Sequence, residues 1–170
     1  MGTSREEIQK EKGAAQQKME EARAKTRALF NQAQEALAKG ENENAISLFE
    51  AASNEEKDNL SILYALGIGY AIEGKLSEAT GVFMKILDAD PLHLGALLRL
   101  GFIQETRGML PAAAQPYRRL LLQKERGDAP EYKEASARLA AVTENLKRLR
   151  EAERHEKRGL AVLNNLSEIA

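Results

Sequence analysis

Four sets of residues recur along this chain at one spacing, 34 residues, and in one register. They are Gly40, Gly74 and Gly108; Ala45, Ala79 and Ala113; Phe49, Phe83 and Tyr117; and Leu29, Leu63 and Leu97. A period of this length belongs to a supersecondary unit that cannot bury its apolar face alone and must stack on copies of itself. Each unit reads as two helices. In the middle unit Leu60, Leu63, Leu66 and Tyr70 share one helical face, a glycine follows, and Ala79, Phe83, Ile86 and Leu87 form a second apolar face. The glycine suits a helix end that needs a residue at positive φ. A small Ala79 lets paired helices approach, and the aromatic four residues on fills the space behind it. The ladders place the units at 26–59, 60–93 and 94–127.

The middle unit carries Leu63-x-x-Leu66-Gly67-x-x-Tyr70, then Ala79-x-x-x-Phe83, then Asp90-Pro91. It resembles the tetratricopeptide repeat, whose pattern is W-x₂-L-G-x₂-Y, A-x₃-F and P, with Leu a frequent substitute for the Trp. The third unit keeps Leu97, Leu100, Gly101, Ala113 and Tyr117 but has Gln104 for the first-helix aromatic and Glu125 for the proline. The first keeps Leu29, Ala33, Ala45 and Phe49 but has Gln32, Ala36 and Lys57 at pattern positions. The resemblance covers about three-fifths of the chain. It implies an all-α fold, a right-handed α-solenoid of three helix pairs with an N-terminal helical extension and a C-terminal capping helix.

The flanks are read from composition. Residues 1–25 are charge-rich, with weak apolar positions at Ile8, Ala15, Met19 and Ala22, and Gly13 weakens the case for one continuous helix. They are expected to extend the first repeat helix or to fray. Gly127-Asp128-Ala129-Pro130 is a break and a restart, because proline suits the first turn of a helix. Ala135, Leu139, Val142, Leu146 and Leu149 then form a stripe that can cover the last repeat, so 128–158 is expected to be a capping helix. The stripe fails at Glu153, which argues against a sustained coiled coil. Gly159 is expected to interrupt the helix, leaving 159–170, with Leu160, Val162, Leu163, Leu166 and Ile169, as a short apolar tail segment.

Composition excludes several functions. A net charge of −1 argues against a nucleic-acid binder held by a general basic field, and the basic runs Arg118-Arg119 and Lys147-Arg148 are diluted by nearby Glu. No cysteine is present, which removes disulfides and thiolate catalysis. His93 and His155 stand alone, and no metal-ligand spacing, phosphate-cradling glycine loop or nucleophile elbow occurs. The expectation is no enzyme, no cofactor and no metal. Asn59-Leu60-Ser61 and Asn165-Leu166-Ser167 match the glycosylation triplet by chance in a chain whose opening, Met1 to Glu7, is polar and shows no signal peptide. No apolar run approaches a membrane span, so membrane insertion is not expected, and a cytoplasmic protein is.

The resemblance implies that the first helices line a concave groove, with positions two, five, six and nine of each unit facing it. Position five is Phe30, Tyr64 and Leu98; position six is Asn31, Ala65 and Arg99; position nine is Gln34, Ile68 and Phe102. Residues four apart share a helical face. The expected partner-binding set is Phe30, Asn31, Gln34, Tyr64, Ile68, Leu98, Arg99 and Phe102. Its apolar floor calls for a second partner, a peptide or an amphipathic helix, unless a flanking helix of this chain fills it. Repeats that clamp the acidic C-terminus of heat-shock chaperones use Lys, Asn and Arg. The matching positions here are Phe30, Gln34, Ala65, Gly95 and Arg99, and only Arg99 fits.

These features point to a protein–protein interaction adaptor. The alternatives are a secretion chaperone similar to those of type III translocator proteins, which share the three repeats and helical flanks, and a self-assembling scaffold. The scaffold reading draws on charge: the first repeat holds seven acids against three bases, and the third holds six bases against two acids. Opposite charge favours head-to-tail self-association at low salt.

Overall fold

The computed structural model describes the backbone of residues 5–169 and the side chains of residues 9–158. Seven α-helices follow one another, with no strand among the described residues. They are α1 (Arg5–Ala38), α2 (Asn42–Glu55), α3 (Leu60–Ile72), α4 (Leu76–Ala89), α5 (Leu94–Thr106), α6 (Leu110–Leu121) and α7 (Pro130–Ile169), with a 3-10 turn at Lys124–Arg126 before α7. The chain divides into two compact units, Met1–Ile86 and Leu87–Ala170.

Helix ends follow local chemistry. Gly40, Gly74 and Gly108 have φ of 78°, 73° and 72°, the left-handed region where a side chain is strained. Each reverses the chain between the helices of a pair. The Asn59 side chain accepts from the Ser61 and Ile62 N–H groups and so caps α3. His93 does the same for α5, its Nδ1 accepting from the Ala96 N–H at 3.1 Å. These two polar residues serve the backbone, which accounts for His93 and for one of the two glycosylation-like triplets.

In the first unit α1 and α2 bury Ala33, Ala36, Ala45, Ile46 and Phe49 together. In α3 the glycine of the repeat pattern meets the aromatic of α4. A Cβ built on Gly67 would lie 2.7 Å from the Phe83 ring, so only hydrogen fits there. Ala79 is fully buried as expected, but the tightest approach is at Gly67 on the first helix of the pair.

The second unit repeats this device. A Cβ on Gly101 would lie 2.4 Å from Tyr117, which is fully buried and donates its O–H to Glu105 at 2.9 Å. α7 packs on both α5 and α6. The Tyr132 O–H reaches the Leu121 carbonyl at 3.3 Å, and Ala135 and Val142 are buried. The buried Gln123 amide donates to the Leu92 carbonyl at 3.1 Å and ties the end of α6 to the turn before α5.

α1 is one helix from Arg5 through Gly13 into the first repeat, the first of the two outcomes expected for the N-terminal segment. One expectation about the flanks is corrected: α7 likewise passes through Gly159, where a break was expected. One glycine costs a helix about 1 kcal/mol relative to alanine, less than the propagation of long flanking stretches supplies. The 34-residue ladder explains α7 further. Ala33, Gly67, Gly101 and Ala135 are small and buried at one register, so α7 begins as a fourth first-type helix. The turn glycine that would follow at 142 is Val142, and the helix continues. The apolar tail positions Leu160, Val162, Leu163, Leu166 and Ile169 lie outside the residues whose side chains are described.

Candidate partner-binding groove

The groove positions of the first unit lie on α1 and α3. Phe30 is half-buried and packs edge-on against Phe49, with ring centroids 5.6 Å apart. Tyr64 is half-buried and tilts against Phe83 at 5.9 Å. Ile68 is half-buried, and Asn31 and Gln34 are exposed. Phe30 and Tyr64 therefore divide their rings between the core aromatic beneath and the surface above. They are not spare, as the sequence reading took them to be. Each is anchored by the pattern aromatic of its own pair.

A crevice of about 350 Å³ opens where α3 begins beside α1. Phe30 and Ile62 supply apolar wall, Arg23 and Arg27 supply positive charge, and Glu56, Asn59 and Ser61 complete the rim. Arg27 and Ser61 occupy position two of their units, so the repeat register pointed to them. Arg23 precedes the first repeat and was not legible from the pattern. It reaches the crevice because α1 is continuous. Thr26 between the two arginines is buried and turns its hydroxyl to the Ala22 carbonyl at 3.0 Å.

In the second unit the groove positions lie on α5. Leu98 is 3% exposed, so it offers no surface to a partner, contrary to the sequence reading. Packing inside the unit consumes it. Phe102 is 41% exposed, and the Arg138 guanidinium of α7 lies over its ring at 4.5 Å. Arg138 is held in turn by Glu134 at 2.9 Å and by Glu105 at 3.4 Å. A flanking helix thus covers one face of Phe102. Arg99 is half-buried, and its Nε is enclosed without a hydrogen-bond partner.

Among the described residues no group of three or more acidic, histidine or cysteine side chains converges as a metal site. No described helix is long and apolar enough to cross a membrane.

No family model matches this chain, and no curated protein does. Solved structures do. The first tetratricopeptide domain of Spaghetti (RPAP3), bound to the HSP90 peptide SRMEEVD, is 17% identical with a TM-score of 0.64, over 73% of this chain and 94% of that one. The Sgt2 tetratricopeptide domain from Aspergillus fumigatus is 19% identical with a TM-score of 0.65, over 74% and 82%. The TPR2B domain of yeast Sti1, in a complex with Hsp70, is 13% identical with a TM-score of 0.64, over 72% and 98%. The fold is that of a tetratricopeptide-repeat domain.

Proposed function

We propose that this chain is a protein–protein interaction adaptor that acts by binding and not by catalysis, with a segment of a partner protein held on its first helices. The observation that carries the reading is the α1–α3 crevice, where apolar wall and positive charge meet beside half-buried Phe30. An apolar side chain of the partner would enter against Phe30 and Ile62, while an acidic neighbour faces Arg23 and Arg27. Burial of one such side chain contributes about 1.5–3 kcal/mol. Tyr64 and Ile68 extend the apolar strip along α3. On the second unit Phe102 and Arg99 are the corresponding exposed and polar elements of α5. Several of the solved domains with this fold are complexes with peptides of heat-shock proteins, which supports a peptide ligand in kind.

The test is selection of binding peptides from a random library, followed by titration against variants. Selected peptides should lose at least about tenfold in affinity on Arg27→Glu and on Ile68→Ala, with the helical circular dichroism unchanged. Met84→Ala, an exposed apolar residue of α4 that is not a groove position, should leave binding unchanged. Peptides that depend on Met84 and ignore Arg27 and Ile68 would place the working surface elsewhere.

A further inference from the structure

We propose a second interaction surface, a basic crevice between α6 and α7 that docks the acidic first repeat of another copy of this chain. Arg118 of α6 and Lys147, Arg150 and Arg154 of α7 line a crevice of about 300 Å³, with half-buried Leu146 at its floor and Glu151 as the single acid. In the sequence Arg118 and Lys147 are far apart, each diluted by glutamates. Folding gathers the cations and turns the dilution away. Glu144 is drawn to Arg148 at 3.2 Å, and Glu134 to Arg138. None of the four crevice cations makes an ion pair among the described residues. Like charges three and four residues apart on a helix each cost about 0.2–0.5 kcal/mol. Glu151 opposes Lys147 and Arg154 at these spacings, so the conflict centres on Arg150, three residues from Lys147 and four from Arg154. A local conflict of this kind is the mark of a site that an outside partner completes.

The occupant follows from the rest of the chain. The net charge is −1, so the basic crevice is balanced by acids elsewhere on the same molecule, and these would repel a nucleic acid or an anionic lipid surface. The first repeat holds those acids. Glu35 and Glu41 line a crevice of about 310 Å³ on α1 and α2 with half-buried Leu48 within it, and Glu43, beside the lining residue Asn44 in the first turn of α2, is exposed. Lys39 is the only base on that crevice. Both surfaces thus combine a leucine with one dominant charge, and the signs are opposite. Contact between unlike patches of identical molecules is heterologous and propagates into chains unless a rotation closes it. This surface contains no groove position, so it stands or falls independently of the peptide-binding reading.

Sedimentation velocity over a concentration series tests it. At about 20 mM salt the weight-average coefficient should rise with concentration, and at about 500 mM, where the screening length is a few ångströms, it should not. The double variant Arg150→Glu, Arg154→Glu should sediment as monomer throughout, and so should Glu35→Lys, Glu43→Lys. Mixing these two variants should restore association, since each then carries the sign the other lacks. All four positions are exposed, and circular dichroism checks that the variants fold. The proposal is overturned if the wild type is monomeric at low salt, if either double variant still associates, or if the mixture does not. Binding of a DNA duplex or of phosphatidylserine vesicles by monomeric wild type, lost in Arg150→Glu, Arg154→Glu, would assign the crevice to a polyanion instead.

Discussion

At the scale of single residues the chain is governed by contacts between a small residue on a first helix and an aromatic on a second. Gly67 against Phe83 and Gly101 against Tyr117 leave no room for a methyl group. Gly101→Ala should therefore destabilise by about 1–3 kcal/mol, although alanine is the better helix former. Gly13→Ala, where nothing lies within 4 Å of the added carbon, should be neutral or stabilising by up to about 1 kcal/mol. Urea midpoints distinguish the two. Phe83→Ala should cost about 3–5 kcal/mol, because the ring is fully buried.

Tyrosine ionisation is governed by the same packing. Burial, then the hydrogen bond to the Glu50 carboxylate, pushes Tyr70 up to about 12, and burial with the Glu105 hydrogen bond raises Tyr117 further. Because the folded value exceeds the unfolded one, near 10, this stabilisation is complete below pH 10 and is lost as pH rises toward the folded value. Stability should be level across pH 10 from below and then fall between 10 and 12. Tyr70→Phe should make the fall shallower in alkaline urea titrations, and an unchanged slope would remove Tyr70 from the account.

At the scale of elements, caps and uninterrupted helices decide the boundaries. The Asn59 side chain satisfies two N–H groups at the start of α3. Asn59→Ala should cost about 1 kcal/mol, while Asn59→Asp should retain most of the stability. In hydrogen exchange the first turn of α3 should lose protection before the helix centre does. α7 is the element most dependent on one substitution in the ladder. Val142→Gly restores the turn residue of the repeat, removes a buried side chain and adds a glycine to a helix interior. Amides beyond 142 should then exchange faster than those between 130 and 141, where Tyr132 and Ala135 hold α7 to its unit.

At the scale of the whole molecule, fold and ligand choice separate. Two domains of this fold were solved with HSP90 or HSP70 peptides ending in EEVD. At the positions that the sequence resemblance assigns to a carboxylate clamp this chain has Phe30, Gln34, Ala65, Gly95 and Arg99, and of these only Arg99 is a cation. A peptide ending in EEVD should show no saturable binding up to about 100 μM by calorimetry. Binding tighter than that would mean that Arg23 and Arg27, one helical turn apart on α1, supply a carboxylate site of another geometry.

The 34-residue ladders determined, without any coordinates, that the chain is all-α, where its turns fall and which residues form the pair cores. Those properties are local and periodic: a glycine at positive φ and an apolar stripe act through their immediate neighbours, whatever lies further off. The surfaces were legible only in part. Helical spacing showed which residues share a face, but not how much of each side chain its neighbour consumes, so Leu98 read as groove and is core, and Phe30 and Tyr64 read as free and are anchored. Arg23 lies ahead of the first repeat, and the Arg118–Arg154 cluster joins residues of α6 and α7 far apart in sequence, so neither carries a periodic signal. Exposure and the company of charges are properties of chain segments brought together across sequence distance, and only the tertiary structure decided them.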